Sequence, residues 1–262
     1  MALIVRADDG VDVRAAVQGD GPAILIVHGG HDDGSSWRQV AELLSPRWRV
    51  VRLHRRQYRL DLAASLPCSI AREAGDVLAL AEPIGEPVVL VGHSSGGVVA
   101  LEALVRSPSR FAGAVLYEPP IHLRPGEWDA AIGRAARLIA GGRVAAAMRV
   151  HLRDIVKLPG PLAWLAALGI VASPKMRALA PHQIADDAAI NDLGVRLDAY
   201  GHIDVPTVLL GGDRSPAHLA ERLDALSRAI PGAAKVVLRG QGHVANVRAP
   251  GEVAKAIEDL AA

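Results

Sequence analysis

Cysteine is nearly missing from this 262-residue chain, where Cys68 stands alone. Neither an intramolecular disulfide nor a thiolate metal cluster can be built from one thiol, and the expected compartment is reducing, hence cytoplasmic. Aromatic residues are also scarce, at 3%, so the core must come from Ala, Val, Leu and Ile, and aromatic stacking is not expected to dominate ligand binding. Neither sign of charge prevails: the formal net charge is +1, with acids and bases interspersed, which leaves no electrostatic footprint for nucleic acid or an anionic membrane. Long apolar runs are absent too. The N-terminal run stops at Arg6, short of the apolar region of a secretory signal, so secretion is not expected. The longest run, Leu158 to Val171, contains Pro159, Gly160 and Pro161 and is too short to span a bilayer; it reads as a buried or lid helix. Chemistry on a small-molecule substrate is what these absences leave.

The length suits one domain with an insertion. Ala2 to Arg6 and Val11 to Val17 flank Asp8-Asp9-Gly10, a turn sequence suited to a tight hairpin. Short apolar runs then alternate with helical patterns: Ile24 to Val27, Val50 to Leu53, Val88 to Val91, Ala114 to Tyr117, Val208 to Leu210 and Val236 to Leu238. That alternation predicts an α/β fold with a mostly parallel sheet covered by helices on both faces. Ser36 with Gln39 has capping-box spacing, and Ser215-Pro216 reads as a second helix start. Between Tyr117 and Val208 the pattern is helical and too long for a loop. Residues 121–204 are therefore expected to form a helical cap, with 1–120 and 205–262 as the core.

Gly92-His93-Ser94-Ser95-Gly96 follows an apolar run and precedes a helix-like stretch. This is GxSxG in the strand-turn-helix context that lifts a serine off a sheet edge as a nucleophile. A hydroxyl is a weak nucleophile until an imidazole takes its proton. Of ten histidines, His243 is the candidate, in Gly240-Gln241-Gly242-His243 between the last strand and the terminal helix; His54, His151 and His202 lack such a loop. His28-Gly29-Gly30 ends the first parallel strand and would offer the Gly30 amide, beside the Ser95 amide, to a developing oxyanion.

Together these segments resemble the α/β-hydrolase superfamily over nearly the whole chain outside the cap. The resemblance implies an eight-stranded sheet with catalytic groups at the carboxyl ends of strands, no cofactor, and a triad whose acid is open to two readings. In relatives the acid usually follows strand seven, three residues past a glycine, but from Gly212 that register lands on Ser215. Asp213 lies two residues early and would need a rearranged turn. Glu118, fixed at the end of strand six by Pro119-Pro120, occupies the alternative position seen in haloalkane dehalogenases and some lipases; it is the preferred acid, with Asp213 as the alternative. A serine at the elbow argues against dehalogenase and epoxide-hydrolase chemistry, in which a carboxylate attacks. The loop His54-Arg55-Arg56-Gln57-Tyr58-Arg59 departs from the Asp-Arg-Arg-Gly-Tyr-Gly common among relatives.

Asp32-Asp33 and Asp186-Asp187 lack metal-ligand spacing and read as solvated faces, so no metal is expected. Arg55, Arg56 and Arg59 read as a charged loop, solvated or holding a substrate carboxylate. His93, Trp128 and Trp164 are expected at the substrate pocket, with Leu162, Leu165, Leu168 and Ile170 covering the elbow. The leading expectation is hydrolysis of a carboxylic ester, lactone or thioester through an acyl-Ser94 intermediate. C–C bond hydrolysis, cofactor-free perhydrolysis, or a catalytically weak binding protein on the same fold are the alternatives.

Overall fold

The computed structural model describes residues 1–62 and 68–261. Among the described residues eight strands form one sheet: β1 (Ala2–Arg6), β2 (Asp12–Gln18), β3 (Ala23–Val27), β4 (Arg49–His54), β5 (Val88–His93), β6 (Phe111–Tyr117), β7 (Thr207–Gly212) and β8 (Ala234–Leu238). Their spatial order is β1-β2-β4-β3-β5-β6-β7-β8. β1 pairs with β2 and β2 with β4 antiparallel, and every later pairing is parallel. This is the α/β-hydrolase fold the sequence implied.

The strand runs are continuous rather than alternating because both faces are covered. In β3, Leu25 and Val27 point into one core with Val98, Leu101 and Leu104, while Ile24 and Ile26 point into the other with Trp37, Leu44 and Ile257. The period of two thus assigns successive residues to opposite layers. Helices α1 (Arg38–Leu44), α2 (Ile70–Ala81) and α3 (Ser95–Arg106) follow β3, β4 and β5. Between Tyr117 and Thr207 the chain carries α4 (Asp129–Ala140), α5 (Val144–Val150), α6 (Gly160–Ala172), α7 (Pro174–Leu193) and the short α8 (Leu197–Tyr200). α9 (Ala217–Ala229), α10 (Ala245–Arg248) and α11 (Pro250–Ala261) complete the chain.

Two local expectations fail, and a third holds only in its lid alternative. Ser36 caps nothing: α1 is entered through a 3-10 turn at Ser35–Trp37, and the Ser36 hydroxyl donates to Asp32 at 2.7 Å. Ser215 does not cap α9 either, since its buried hydroxyl has no partner and the helix starts two residues later. The run read as a buried or lid helix is α6, of which only Ala163 and Ala167 are buried; Leu162, Trp164, Leu165 and Leu168 face solvent. Because α6 is apolar all round, its sequence period could not say which face turns inward.

Candidate active site

The candidate residues meet at the carboxyl edge of the parallel strands, where this topology opens a crevice. β5 delivers Ser94 with φ 52° and ψ −129°, a left-handed backbone that an L residue adopts at a cost of roughly 1–3 kcal/mol. It is held there by its own amide, which donates to Tyr117 O at 2.8 Å, and by Gly97 N–H donating to Ser94 O at 2.8 Å. The flanking glycines answer to close approach. A Cβ on Gly92 would lie 2.6 Å from Ala100 Cβ, and one on Gly96 would strike the backbone oxygens of Val27 and His28. Among the described non-glycine residues positive φ occurs at His31, Ser94, Glu118 and Lys157, so backbone strain gathers around this edge.

Glu118 follows β6 directly. Its amide donates to Leu210 O at 3.1 Å, and its side chain, 1% exposed, turns back under β7. One carboxylate oxygen accepts the Gly212 amide at 2.8 Å and the other accepts from His243 Nδ1 at 2.7 Å. The pair Gly211-Gly212 makes this possible, because a Cβ at position 211 would approach Glu118 Oε1 to 3.3 Å. Asp213 lies past the turn: it is exposed and accepts the Gly240 amide at 2.7 Å. It organises the loop that carries His243 and does not reach the ring.

The loop is fastened through its backbone. Tyr117 donates its hydroxyl to Gly242 O and accepts the Ala245 amide at 3.0 Å, while His93 Nε2 meets His243 O at 2.9 Å. His93 stacks on Tyr117 at 4.7 Å between ring centroids. Burial first, and then the neighbouring His243, hold it well below the ordinary imidazole range, which keeps it a neutral donor to that carbonyl. His93, expected at the substrate pocket, borders a second cavity of about 390 Å³ that Gly30, Ser94 and His243 also line. His93, inside the Gly92-to-Gly96 motif, is thus a support for the loop that carries His243.

The main cavity, about 640 Å³, is bounded by Ser94, His243, Gly30 and Ser95 on the core side. Ser95 is the first residue of α3, so its amide has no intrahelical acceptor and lies at the positive end of the helix dipole. The far wall is apolar, with Trp128, Met148, Leu152, Ile155, Leu158 and Ile190. Trp164, expected here, is 53% exposed on α6 and lies outside the cavity, as do Leu162, Leu165 and Leu168. The wall comes instead from Trp128 before α4, from α5 and the turn after it, and from α7.

Beneath it runs a polar layer that was read from the sequence as solvated. Arg55 is fully buried. Its guanidinium donates to Asp186 at 2.7 Å, to Glu73 and to Ser95 Oγ at 2.7 Å. Arg56 pairs with Asp76 and Asp9, and Arg59 with Asp61 at 2.7 Å. None of the three is free for a substrate carboxylate. Asp187 is buried against His151 and Gln183, and burial pushes its carboxyl up against the opposing pull of His151. A charged loop and an Asp-Asp pair far apart in sequence gave no sign that they would meet.

The family model described as the alpha/beta hydrolase family matches residues 24–256. An uncharacterized hydrolase, YraK, of Bacillus subtilis (strain 168) is 32% identical over 113 residues, 42% of this chain and 42% of that protein. An epoxide hydrolase of Caballeronia sordidicola is 33% identical over 110 residues, 40% of this chain and 33% of that protein. The matched stretches thus span less than half of these curated relatives. Among solved structures, an alpha/beta hydrolase from Sphaerobacter thermophilus superposes with a TM-score of 0.85 at 26% identity, covering 99% of this chain and 100% of its own. An esterase from Thermogutta terrifontis gives 0.74 at 23%, covering 99% and 97%. An enol-lactonase from Burkholderia xenovorans gives 0.73 at 22%, covering 98% and 99%.

Proposed function

Since the chain belongs to the alpha/beta hydrolase family, we propose that it is a serine hydrolase that cleaves a carboxylic ester, lactone or thioester with an apolar acyl group through an acyl-Ser94 intermediate. The observation that carries this reading is the 2.7 Å contact between His243 Nδ1 and the buried Glu118 carboxylate, on an imidazole that shares a cavity with Ser94. A carboxylate there fixes the tautomer with hydrogen on Nδ1 and leaves Nε2 to take the serine proton. Asp213 is assigned no part in this step.

In the first half-reaction Ser94 Oγ attacks the carbonyl carbon while its proton passes to His243 Nε2. Glu118 stabilises the imidazolium, and the Gly30 and Ser95 amides receive the oxyanion. Collapse of the tetrahedral intermediate returns the proton to the departing alcohol or thiol. In the second half His243 takes a proton from water, which attacks the acyl carbon; collapse of this second intermediate breaks the bond to Ser94 Oγ, which regains the proton from His243 as the acid departs. A serine at the elbow, where epoxide hydrolases attack with a carboxylate, separates this reading from the activity named for the Caballeronia sordidicola relative. The likeness to the esterase and the enol-lactonase, under 25% identical, concerns the fold alone.

The test is a panel of p-nitrophenyl esters from acetate to octanoate, beside lactones and thioesters of the same acyl groups. Turnover that rises with apolar acyl length is expected from the Met148, Leu152, Ile155 and Ile190 wall. Activity confined to short polar acyl groups, or absent from every arm, would contradict it.

A further inference from the structure

The cavity wall contains three imidazoles that the triad does not use, His31, His151 and His218, and among the described residues His151 is the one paired with a carboxylate. His151 opens a π-helical turn, His151–Ile155, whose wide pitch is marked by Val156 N–H donating to His151 O at 3.0 Å. Such turns inside α-helices occur frequently at functional sites. His151 lines the same cavity as Ser94, and its Nδ1 meets Asp187 Oδ2 at 2.6 Å. Asp187 is itself held: its other oxygen accepts Gln183 Nε2 at 2.9 Å, and Gln183 Oε1 accepts the Tyr58 hydroxyl at 3.1 Å. The single Tyr58 hydroxyl proton is shared with the nearer Asp186 Oδ2 at 2.7 Å, on the carboxylate that pairs with Arg55. A buried chain of hydrogen bonds therefore fixes one cap imidazole to the same layer that supports the Ser95 position.

A histidine that merely packs needs no such construction. The carboxylate on Nδ1 selects the tautomer with hydrogen there, so that in the neutral ring the Nε2 lone pair is the free valence. Among the described residues no protein group donates to it. It opens onto a cavity that Met148, Leu152 and Ile155 also line, and an acceptor without a protein donor in a partly desolvated cavity gains from a donor brought by the substrate.

We propose that His151, oriented by Asp187, is a substrate-positioning residue that accepts a hydrogen bond from a hydroxyl group on the acyl portion of the substrate. The preferred substrates are then hydroxyacyl esters, thioesters or lactones with a second oxygen function, not plain alkanoates. This rests on the acyl-Ser94 reading for the orientation of the substrate. A site built to bond a hydroxyl discriminates against the analogue that lacks it, because its own polar atom is left unpaired.

The test compares p-nitrophenyl hexanoate with the 3-hydroxy- and 6-hydroxyhexanoate esters in the wild type, His151→Leu, His151→Gln and Asp187→Asn. At least one hydroxy ester should exceed hexanoate by roughly tenfold in kcat/KM in the wild type, mainly through KM. In His151→Leu that ratio should fall to within about twofold; His151→Gln, which retains an acceptor, should recover part of it. Asp187→Asn should lower the ratio less than His151→Leu, since the amide oxygen still accepts from Nδ1. A wild type that prefers neither hydroxy ester overturns the proposal, whether or not any variant folds. Equal losses on all three esters in His151→Leu overturn it as well and assign His151 a structural role. If the wild type hydrolyses no ester, the acyl-enzyme reading fails; protection of Ser94 from a fluorophosphonate by 3- or 6-hydroxyhexanoate, measured against hexanoate, then decides the His151 proposal separately.

Discussion

At the scale of single residues the acid is where sequence pattern and chemistry pull apart. Asp213 occupies the customary neighbourhood, yet it is exposed and spends its carboxylate on the Gly240 amide. Glu118 is buried and bridges the Gly212 amide and His243. Glu118→Gln should therefore lower kcat by roughly 10²–10⁴, with the fold retained. Asp213→Asn, whose amide oxygen can still accept from Gly240, should cost about tenfold or less. Steady-state kinetics of the two purified variants on one ester decide this; the reverse order would reassign the acid. The diproline after Glu118 was the sequence feature that made it legible. The role of His93 and the places of His151 and Trp164 were missed because nothing in a short window says which way a side chain turns. For His93 the deciding contact is a carbonyl 150 residues away, and for His151 an aspartate on another helix.

At the scale of elements the strands were readable and the cap faces were not. Apolar runs bounded by turn residues located all the strands, because a two-faced sheet demands them. The insertion was visible from length and helical pattern, but α6 carries apolar residues on every side, and its large side chains lie outside the cavity. The insertion is seated on the core by apolar side chains such as Ile184 and Ile190 and also by a buried polar cluster, Asp186 of α7 against Arg55, with Glu73 of α2 on the same guanidinium. All three side chains are essentially inaccessible. Removing the cation would strand two buried carboxylates, so Arg55→Met should destabilise the protein by about 3–5 kcal/mol. Urea denaturation should show this as a lower midpoint, and an unchanged midpoint would mean that the cluster contributes little to the seating of α7.

Across the whole molecule stability should depend on acid pH through histidines held neutral. His28 is fully buried; Arg55 N–H donates to its Nε2 at 3.1 Å and its Nδ1 meets Gly29 O at 2.8 Å. Burial, aided by Arg55, pushes it down to about 4 from an ordinary 6.5. Because the unfolded chain binds the proton more readily, this contribution is present above about pH 6.5 and is lost as pH falls toward 4, amounting to at most about 3 kcal/mol. His218, lowered to about 4 mainly by burial, acts in the same direction. Melting temperature should thus decline between these pH values, with a shallower decline in His28→Gln. A flat profile would show that protonated His28 is accommodated. The fold as a whole was legible because hairpin, alternating runs, elbow and C-terminal histidine agree with one another. The buried Arg55 layer was not, since its partners are brought together only by the tertiary structure.

The central claim is that Ser94 is a nucleophile activated by His243. Reaction of the purified protein with a fluorophosphonate, followed by peptide mass spectrometry, tests it without knowledge of the substrate. Stoichiometric modification of Ser94 is expected in the wild type, none in Ser94→Ala, and labelling slowed by orders of magnitude in His243→Ala. An unmodified Ser94 in folded wild-type protein, or equal labelling rates with and without His243, would contradict it.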